Sequence, residues 1–310
     1  LSPKEAQELW PLMEVEDVIG SAFLPTDGQA NPSDITQALA KGARMCGVII
    51  VEETSVTGIR LENQQVAAVQ TENGEILCET VVNCAGQWAN ELGKMAGVNV
   101  PLVSVEHQYL ITEAIQGVTG DLPTLRDPDK LTYWKEEVGG LVMGGYEPNP
   151  IAWVSNPIPK DFIFQLLPDN YEHFEQLMLP AVERVPALEN AGIRKLMNGP
   201  ESFTPDGNFI LGEAPEVKNY FVGAGFNAFG IAAAGGAGKA LAEWILAGEP
   251  PMDLWVVDIR RFSNIHKNED WVRNRTLELY GKHYTLSWPH EEHESGRPVL
   301  TSPIYEILKE

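Results

Sequence analysis

The chain has 310 residues, 44% of them hydrophobic, enough to bury a substantial core in two domains or one elaborate one. Asp and Glu outnumber Lys and Arg 44 to 22, a formal charge of −22, and no basic block occurs, which argues against a nucleic-acid partner and leaves the acidity to solubility. Cys46, Cys78 and Cys84 lie in apolar or strand-like stretches without metal-ligand spacing, the pattern of free thiols in a reducing compartment.

Ser2-Pro3 with Glu5 opens a short helix. Asn31-Pro32 supplies the N-cap and first-turn proline of a longer one, whose apolar residues Ile35, Ala38, Leu39, Ala43 and Met45 precede a stop at Gly47. Val48-Ile-Ile-Val51 reads as a buried strand. Val56 to Leu61, Val66 to Gln70 and Ile76 to Cys78, separated by Asn63-Gln64-Gln65 and Asn73-Gly74, predict a small antiparallel meander. A strand from Thr80 to Cys84 ends at Ala85-Gly86, where a helix starts with Trp88, Leu92 and Met95 on one face. Strand, small-residue turn and helix is the geometry in which ligands bind beyond the carboxyl ends of strands.

From Val103 to about Glu147 strand-like runs dominate, including Gln108 to Thr112, Leu131 to Trp134 and Gly140 to Met143, and predict an antiparallel sheet. Asp161 to Leu179 reads as a helix with Phe174, Leu177 and Met178 inward and Pro180 ending it, followed by strands at Ile193 to Met197 and Asn208 to Leu211. The predicted organisation is mixed α/β: residues 1–100, an inserted antiparallel-sheet domain at 101–215, a return to the first unit at 216–250, and a C-terminal extension at 251–310. A cleft is expected between the first unit and the insertion.

The most informative segment runs from Phe221 to Gly248: a buried strand, a glycine-rich turn and a helix. Gly225 and Gly230 allow close backbone approach, and a helix begun near Gly230 aims its free N–H groups and positive dipole end into the turn. After Ile231, small or apolar residues recur at Ala234, Gly235, Gly238, Leu241, Ala242 and Ile245, a face on which another backbone or a flat cofactor can lie close. Lys239 and Glu243 interrupt the run and argue against a membrane span. His107 is the histidine placed in the predicted sheet near the cleft, and Tyr133 lies on a strand expected to neighbour it; an imidazole can hold an amine unprotonated or bind a carboxylate, and a phenol can hydrogen-bond. Both residues also suit ordinary packing in a sheet. Arg126 is a candidate carboxylate clamp and equally a solvated surface residue. His290 and His293 are three apart, not the four of HExxH, and flanking prolines make the stretch a linker, so no metal site is expected.

Asp27-Gly-Gln-Ala-Asn-Pro32 with its helix and Gly47-Val-Ile-Ile50, Val82-Asn-Cys-Ala-Gly-Gln-Trp88, Thr204-Pro-Asp-Gly207 and Gly225-Phe226 to Gly238 resemble, in that order, the flavin-dependent amine oxidoreductases of the D-amino-acid-oxidase type. His107-Gln108-Tyr109, Asn198-Gly-Pro-Glu-Ser-Phe-Thr-Pro-Asp206 and the ending Gly296-Arg-Pro-Val299 to Ile304-Tyr-Glu-Ile-Leu308 are similar to the dimethylglycine and sarcosine dehydrogenase branch. The resemblance implies a Rossmann-like FAD-binding unit with an inserted substrate domain, and oxidation of the carbon–nitrogen bond of an N-methylated glycine by hydride transfer to FAD. It puts Val56 on the adenine side, Trp88 along the cofactor, and Gly225, Phe226, Asn227, Ala228, Phe229, Gly230 and Ile231 around the isoalloxazine ring, with the N–H groups of Gly230 and Ile231 facing charge on the pyrimidine edge. His107 and Tyr133 would act on the substrate. The family's GxGxxG turn and the histidine that often attaches the flavin covalently are missing, since neither Gly223-Ala-Gly225 nor Gly236-Ala-Gly238 completes the fingerprint. The chain is therefore expected to be the central and C-terminal part of a flavoprotein subunit, with a tetrahydrofolate-binding domain beyond Glu310. The electron acceptor would be an electron-transfer flavoprotein or oxygen, in the bacterial cytoplasm or the mitochondrial matrix. A non-catalytic alternative exists: the regulatory subunit of pyruvate dehydrogenase phosphatase resembles the same family and shares Asn83-Cys-Ala-Gly-Gln-Trp88 and Glu201-Ser-Phe-Thr-Pro-Asp206. The phrase His107-Gln108-Tyr109 favours the enzyme.

Overall fold

The computed structural model describes residues 1–153 and 157–309. At the start of α1 (Pro3–Leu9) the Ser2 hydroxyl accepts from the Glu5 N–H while the Glu5 carboxylate accepts from the Ser2 N–H, a reciprocal cap. Asn31 caps α2 (Pro32–Met45) by accepting from Ser33 and Asp34, and Gly47, at φ 89°, follows its end. The meander forms as expected from β1 (Val56–Glu62), β2 (Gln65–Thr71) and β3 (Gly74–Leu77), with Asn63 and Gln64 both at positive φ in the tight turn between the first two.

β4 (Val81–Asn83) leads through a single 3₁₀ turn at Gly86–Trp88 into α3 (Ala89–Ala96). Next come β5 (Val103–Thr112), β6 (Leu125–Asp127), β7 (Thr132–Glu137), β8 (Gly140–Gly145), α4 (Tyr171–Arg184) and β9 (Ile193–Phe203). These five strands form one antiparallel sheet in the order β6-β7-β8-β5-β9. β10 (Ile210–Glu213) and β11 (Tyr220–Ala224) then join β4 in a separate sheet ordered β10-β11-β4, in which β11 and β4 run parallel. The chain ends with α5 (Gly230–Ala247), α6 (Glu269–Gly281) and the short α7 (Tyr305–Leu308).

Alternation along β5 gives the large sheet two characters. Leu110 enters a core with Trp134, Leu141, Met143 and Leu196, covered by Phe174, Leu177 and Ala181 of α4 and by Trp10 beyond α1. A fully buried side chain such as Leu177 or Leu196 contributes roughly 2 kcal/mol of transfer free energy. The opposite face, carrying Val105 and Tyr146, packs on Phe203 and on Tyr280 of α6. A second core under the smaller sheets joins Ile59, Val66, Val81, Val222 and Ile210 to Ala89 and Ala96 of α3.

Two expectations are corrected, and the burial of two helices adds to what spacing shows. Residues 48–51 form no strand and are exposed, Ile49 by 87%; no described strand runs beside them to complete a ladder, and the Val48 N–H turns back to the Ala43 carbonyl. Residues 161–170 are not helical, because Phe164 has φ 50° and Pro168 intervenes; α4 starts only at Tyr171, where Asn170 caps the His173 N–H, and it continues through Pro180 to Arg184. The proline's missing hydrogen bond is outweighed by complete burial of Ala181 and by the contacts of Arg184. In α3 the buried face is Ala89, Gly93 and Ala96, while Trp88 and Met95 are exposed. In α5 the buried face is Ala237, Ala240, Leu241 and Trp244, and the small-residue face at Ala234, Gly235, Gly238 and Ala242 is exposed, since the bulk of Trp244 against Phe221 sets the helix rotation.

Arg184, 5% exposed, clamps α4 to the sheet: its Nε donates to Asp127 at 2.6 Å and its Nη1 to Asp17 at 2.8 Å. Replacing it leaves the buried Asp127 carboxylate unpaired, so Arg184→Ala is expected to destabilise the protein by about 3–5 kcal/mol in denaturant unfolding. A loss below about 1 kcal/mol would show the pair to be no stronger than a surface contact.

Candidate active site

Because β4 and β11 run parallel with Phe221 opposite Val82 and Val222 opposite Asn83, the chain leaves both carboxyl ends side by side. Buried Asn83 secures the first exit, accepting from the Ala85 N–H at 3.2 Å and donating to the Ala89 carbonyl at 2.9 Å and the Tyr220 hydroxyl at 3.0 Å. The second exit is the glycine-rich turn, where Gly225, Asn227 and Ala228 all have positive φ. A side chain at Gly225 would lie 2.7 Å from Thr204 Cγ2 as well as straining the backbone. Asn227, 2% exposed, pins the turn: its Oδ1 accepts from the Thr204 N–H at 2.9 Å and its Nδ2 donates to the Gly225 carbonyl at 2.6 Å. The Thr204-Pro-Asp-Gly207 segment and the turn are thus one unit, braced further by Arg261 on Asp206.

No side chain caps α5. Its ladder begins with the Ala233 N–H on the Phe229 carbonyl, at 2.9 Å, so the N–H groups of Gly230, Ile231 and Ala232 point out of the helix end. At this end Phe229 and Ile231 are exposed by 42% and 50%, and Trp88, in the 3₁₀ turn past β4, by 40%. A Cβ built on Gly235, Gly236 or Gly238 would meet no other atom within 4 Å, so the helix flank is open as well. Uncapped donors, exposed flat or apolar side chains and an open glycine flank fit the isoalloxazine part of FAD, a planar group with an electron-accepting, hydrogen-bonding edge. Val56 stands apart on the meander, paired with Thr71.

His107 and Tyr133 are brought together, though not on neighbouring strands: β8 lies between β7 and β5. Tyr133 pairs with Gly144, which pairs with Tyr109, and a Cβ on Gly144 would lie 2.4 Å from the Tyr133 hydroxyl. The missing side chain is what lets the ring reach across β8, so that the Tyr133 hydroxyl lies 3.0 Å from His107 Nε2. The Tyr280 hydroxyl lies 2.8 Å from the other ring nitrogen, Nδ1. Arg126 stands opposite Tyr133 on β6, which places it on the same face of the sheet.

Sequence reasoning missed Tyr146, Glu147, Glu201, Tyr280, His283 and Tyr284. Tyr280, His283 and Tyr284 follow helical spacing of three and four, a signal readable as one face; Tyr146 and Glu147 lie just past β8, where nothing local marks them. The His283 ring is stacked on Tyr146 at 3.9 Å, Tyr146 lies 4.9 Å from His107, and Phe229 of the glycine-rich turn lies 5.7 Å from His283. This row of rings joins the turn to the His107 face. Burial, then the nearby Arg126 and His107, holds the His283 imidazole down to about 4. Burial, reinforced by Tyr146 and Glu201, raises the Tyr133 phenol well above its ordinary range. Burial also raises Glu201, against the opposing pull of His107.

The His283 shift has a consequence for stability. The unfolded imidazole takes up a proton near 6.5 and the folded one only near 4, so the unfolded state binds more protons between these values and stability falls as pH drops through that window. Relative to His283→Phe, the wild-type protein should lose on the order of 2 kcal/mol of unfolding free energy between pH 7 and pH 4. A difference between the two proteins that is flat with pH would refute the shift.

The described residues contain no group of three or more His, Cys, Asp or Glu side chains able to hold a metal, and no helix long and apolar enough to cross a membrane. The three cysteines are unpaired.

The chain matches the FAD dependent oxidoreductase family over residues 1–244 and the FAD dependent oxidoreductase central domain over residues 247–302. It is 42% identical to the mitochondrial sarcosine dehydrogenase of Mus musculus, over 99% of this chain and 34% of that protein. It is 39% identical to the mitochondrial pyruvate dehydrogenase phosphatase regulatory subunit of Mus musculus, over 99% of this chain and 35% of that protein. Among solved structures, L-proline dehydrogenase from P. horikoshii superposes with a TM-score of 0.74 at 30% identity, covering 84% of this chain and 68% of that one. The chain spans about a third of the length of the curated relatives it matches. Its sheets, its glycine-rich turn and these matches agree, and the chain belongs to the FAD-dependent oxidoreductases of the D-amino-acid-oxidase type.

Proposed function

We propose that the protein oxidises the carbon–nitrogen bond of an N-methylated glycine, such as sarcosine or dimethylglycine, between the glycine-rich turn and the His107–Tyr133 face. The observation that carries this reading is the row Phe229, His283, Tyr146, His107, which sets the turn suited to a flavin beside the pair suited to an amine. The identity to a sarcosine dehydrogenase supports the substrate class. When bound, FAD accepts the hydride from the carbon attached to the substrate nitrogen.

Gly225 to Ile231 would border the isoalloxazine ring and Trp88 would flank it; the N–H groups of Gly230 and Ile231 are fixed before reaction and favour negative charge on the edge they face. Val56 would lie on the adenine side. His107 and Tyr133 would take the amine proton, leaving the nitrogen lone pair free, and Arg126 would pair with the substrate carboxylate. Tyr146, Tyr284 and Phe229 would supply aromatic walls that exclude water and favour the cationic iminium product once the hydride has left. The proposed division is an FAD unit at 1–100 and 216–250, a substrate unit at 101–215 and an extension at 251–310, with three crossings: Trp10 packs on the large sheet, β10 pairs with β11, and Tyr280 completes the site. An electron-transfer flavoprotein or oxygen would take the electrons, and tetrahydrofolate would act outside this chain. The mitochondrial relatives support the matrix as one compartment, with bacterial cytoplasm the other.

The likeness to the phosphatase regulatory subunit supports a second, non-catalytic reading. The flavin-loaded protein separates them. In anaerobic stopped-flow with sarcosine or dimethylglycine, His107→Ala and Tyr133→Phe should slow flavin reduction by about a hundredfold to ten-thousandfold at unchanged flavin content. Near-wild-type rates in both variants would return the two residues to a packing role. A wild-type flavin reduced by neither amine would favour the regulatory reading.

A further inference from the structure

The hydrogen bonds around His107 continue past the candidate catalytic pair to a carboxylate buried behind it. Glu147, 1% exposed, accepts at Oε2 from the Tyr280 hydroxyl at 3.0 Å, and His173 Nε2 lies 3.1 Å from its Oε1. A phenol has one proton to donate. Since Tyr280 gives its proton to Glu147, its oxygen faces His107 Nδ1 as an acceptor, and Nδ1 carries the hydrogen of that 2.8 Å contact. A neutral imidazole with Nδ1–H has its lone pair on Nε2, so the Tyr133 hydroxyl 3.0 Å away is the donor there. One buried carboxylate thus sets every donor and acceptor role out to Tyr133.

We propose that Glu147 and Tyr280 are positioning residues that fix His107 as its Nδ1–H tautomer and so make the Tyr133 oxygen the acceptor for the substrate's amine proton. The assignment of the substrate proton rests on the N-methylglycine reading above; the tautomer does not. In the step itself, a proton leaves the substrate ammonium for the Tyr133 oxygen as the Tyr133 proton passes to His107 Nε2. The amine nitrogen regains its lone pair, Tyr133 ends neutral, and His107 becomes an imidazolium linked through Tyr280 to the Glu147 carboxylate. Keeping Tyr133 neutral matters, because burial makes a lasting phenolate there unfavourable. The groups facing His107 are Tyr133 of β7, Tyr146 beyond β8, Glu201 of β9, Arg126 of β6, and Tyr280 with His283 from α6 and the turn after it. Of these, Tyr280 alone contacts Nδ1 among the described residues. His173 secures the other end of the relay: its bond to Glu147 raises its own pKa, and Gln176 Nε2 lies 3.1 Å from its Nδ1.

The test is long-range ¹H–¹⁵N NMR of the histidine rings in the protein, with His107 assigned by its loss in His107→Gln, alongside the pH profile of flavin reduction. Wild type should show a protonated Nδ1 and an unprotonated Nε2 on His107 at neutral pH. Tyr280→Phe should turn this into a mixture of tautomers. Glu147→Gln, whose amide oxygen can still accept from Tyr280, should keep the tautomer but lower the pH at which the ring becomes imidazolium. Both variants should slow reduction on the order of tenfold to a hundredfold, less than loss of His107 itself. A wild-type Nε2–H ring would overturn the proposal, and so would a Tyr280→Phe protein with unmoved ring signals and pH profile. An Nδ1–H ring in a protein that sarcosine and dimethylglycine cannot reduce would uphold the tautomer and remove the substrate reading instead.

Discussion

The pairing of β5 with β9 decides which side chains of this protein can meet. Val103 to Ile111 lie opposite Phe203 to Lys195 without a register shift, and alternation along that ladder sends His107 and Tyr109 to one face and Gln108 and Leu110 to the other. A slip of one residue would exchange the two sets. The Leu110 face builds the core under α4, and Gln108 exchanges hydrogen bonds with Asn170 just before that helix starts. The His107 face is left to α6 and the rings of Tyr133, Tyr146 and Tyr280, a polar, ring-lined surface held by an ordinary packed one behind it.

Two close approaches shape this surface and the glycine-rich turn. At Gly144 the absence of a side chain lets Tyr133 cross an intervening strand, and at Gly225 positive φ and the nearness of Thr204 admit only glycine comfortably. Asn227 holds the second turn from within, leaving the first N–H groups of α5 free to act outward. Desolvation between the two walls suits the proposed chemistry: His283 stays neutral over most of the physiological range and Tyr133 resists ionisation. The titratable groups that remain beside His107 are Glu201, raised by burial, and the Tyr280–Glu147 pair behind it.

Features set by local chemistry were legible in the sequence. The Ser2–Glu5 cap, the Asn31-Pro32 helix start, the meander turns and the strand, glycine turn and helix from Phe221 onward need only neighbours a few residues away. What failed depended on more than composition and spacing. Residues 48–51 have strand composition but no described strand to pair with, and residues 161–170 have helical spacing but Phe164 at positive φ and Pro168 in their path. His107 and Tyr133 are legible as residue types that do such chemistry, yet their contact depends on Gly144, which only the register brings between Tyr133 and Tyr109. Tyr280 and Glu147 lie 133 residues apart, beyond the reach of any local pattern.

In the proposed arrangement the first turn of α5 and the His107–Tyr133 face are two walls of one site. A crystal structure of the flavin-loaded protein would decide whether they are. The pyrimidine edge of the isoalloxazine is expected within about 3 Å of the N–H groups of Gly230 or Ile231, with a ring face turned toward His107 and Tyr133. An isoalloxazine ring seated away from the start of α5, or separated from His107 by packed protein, would contradict it.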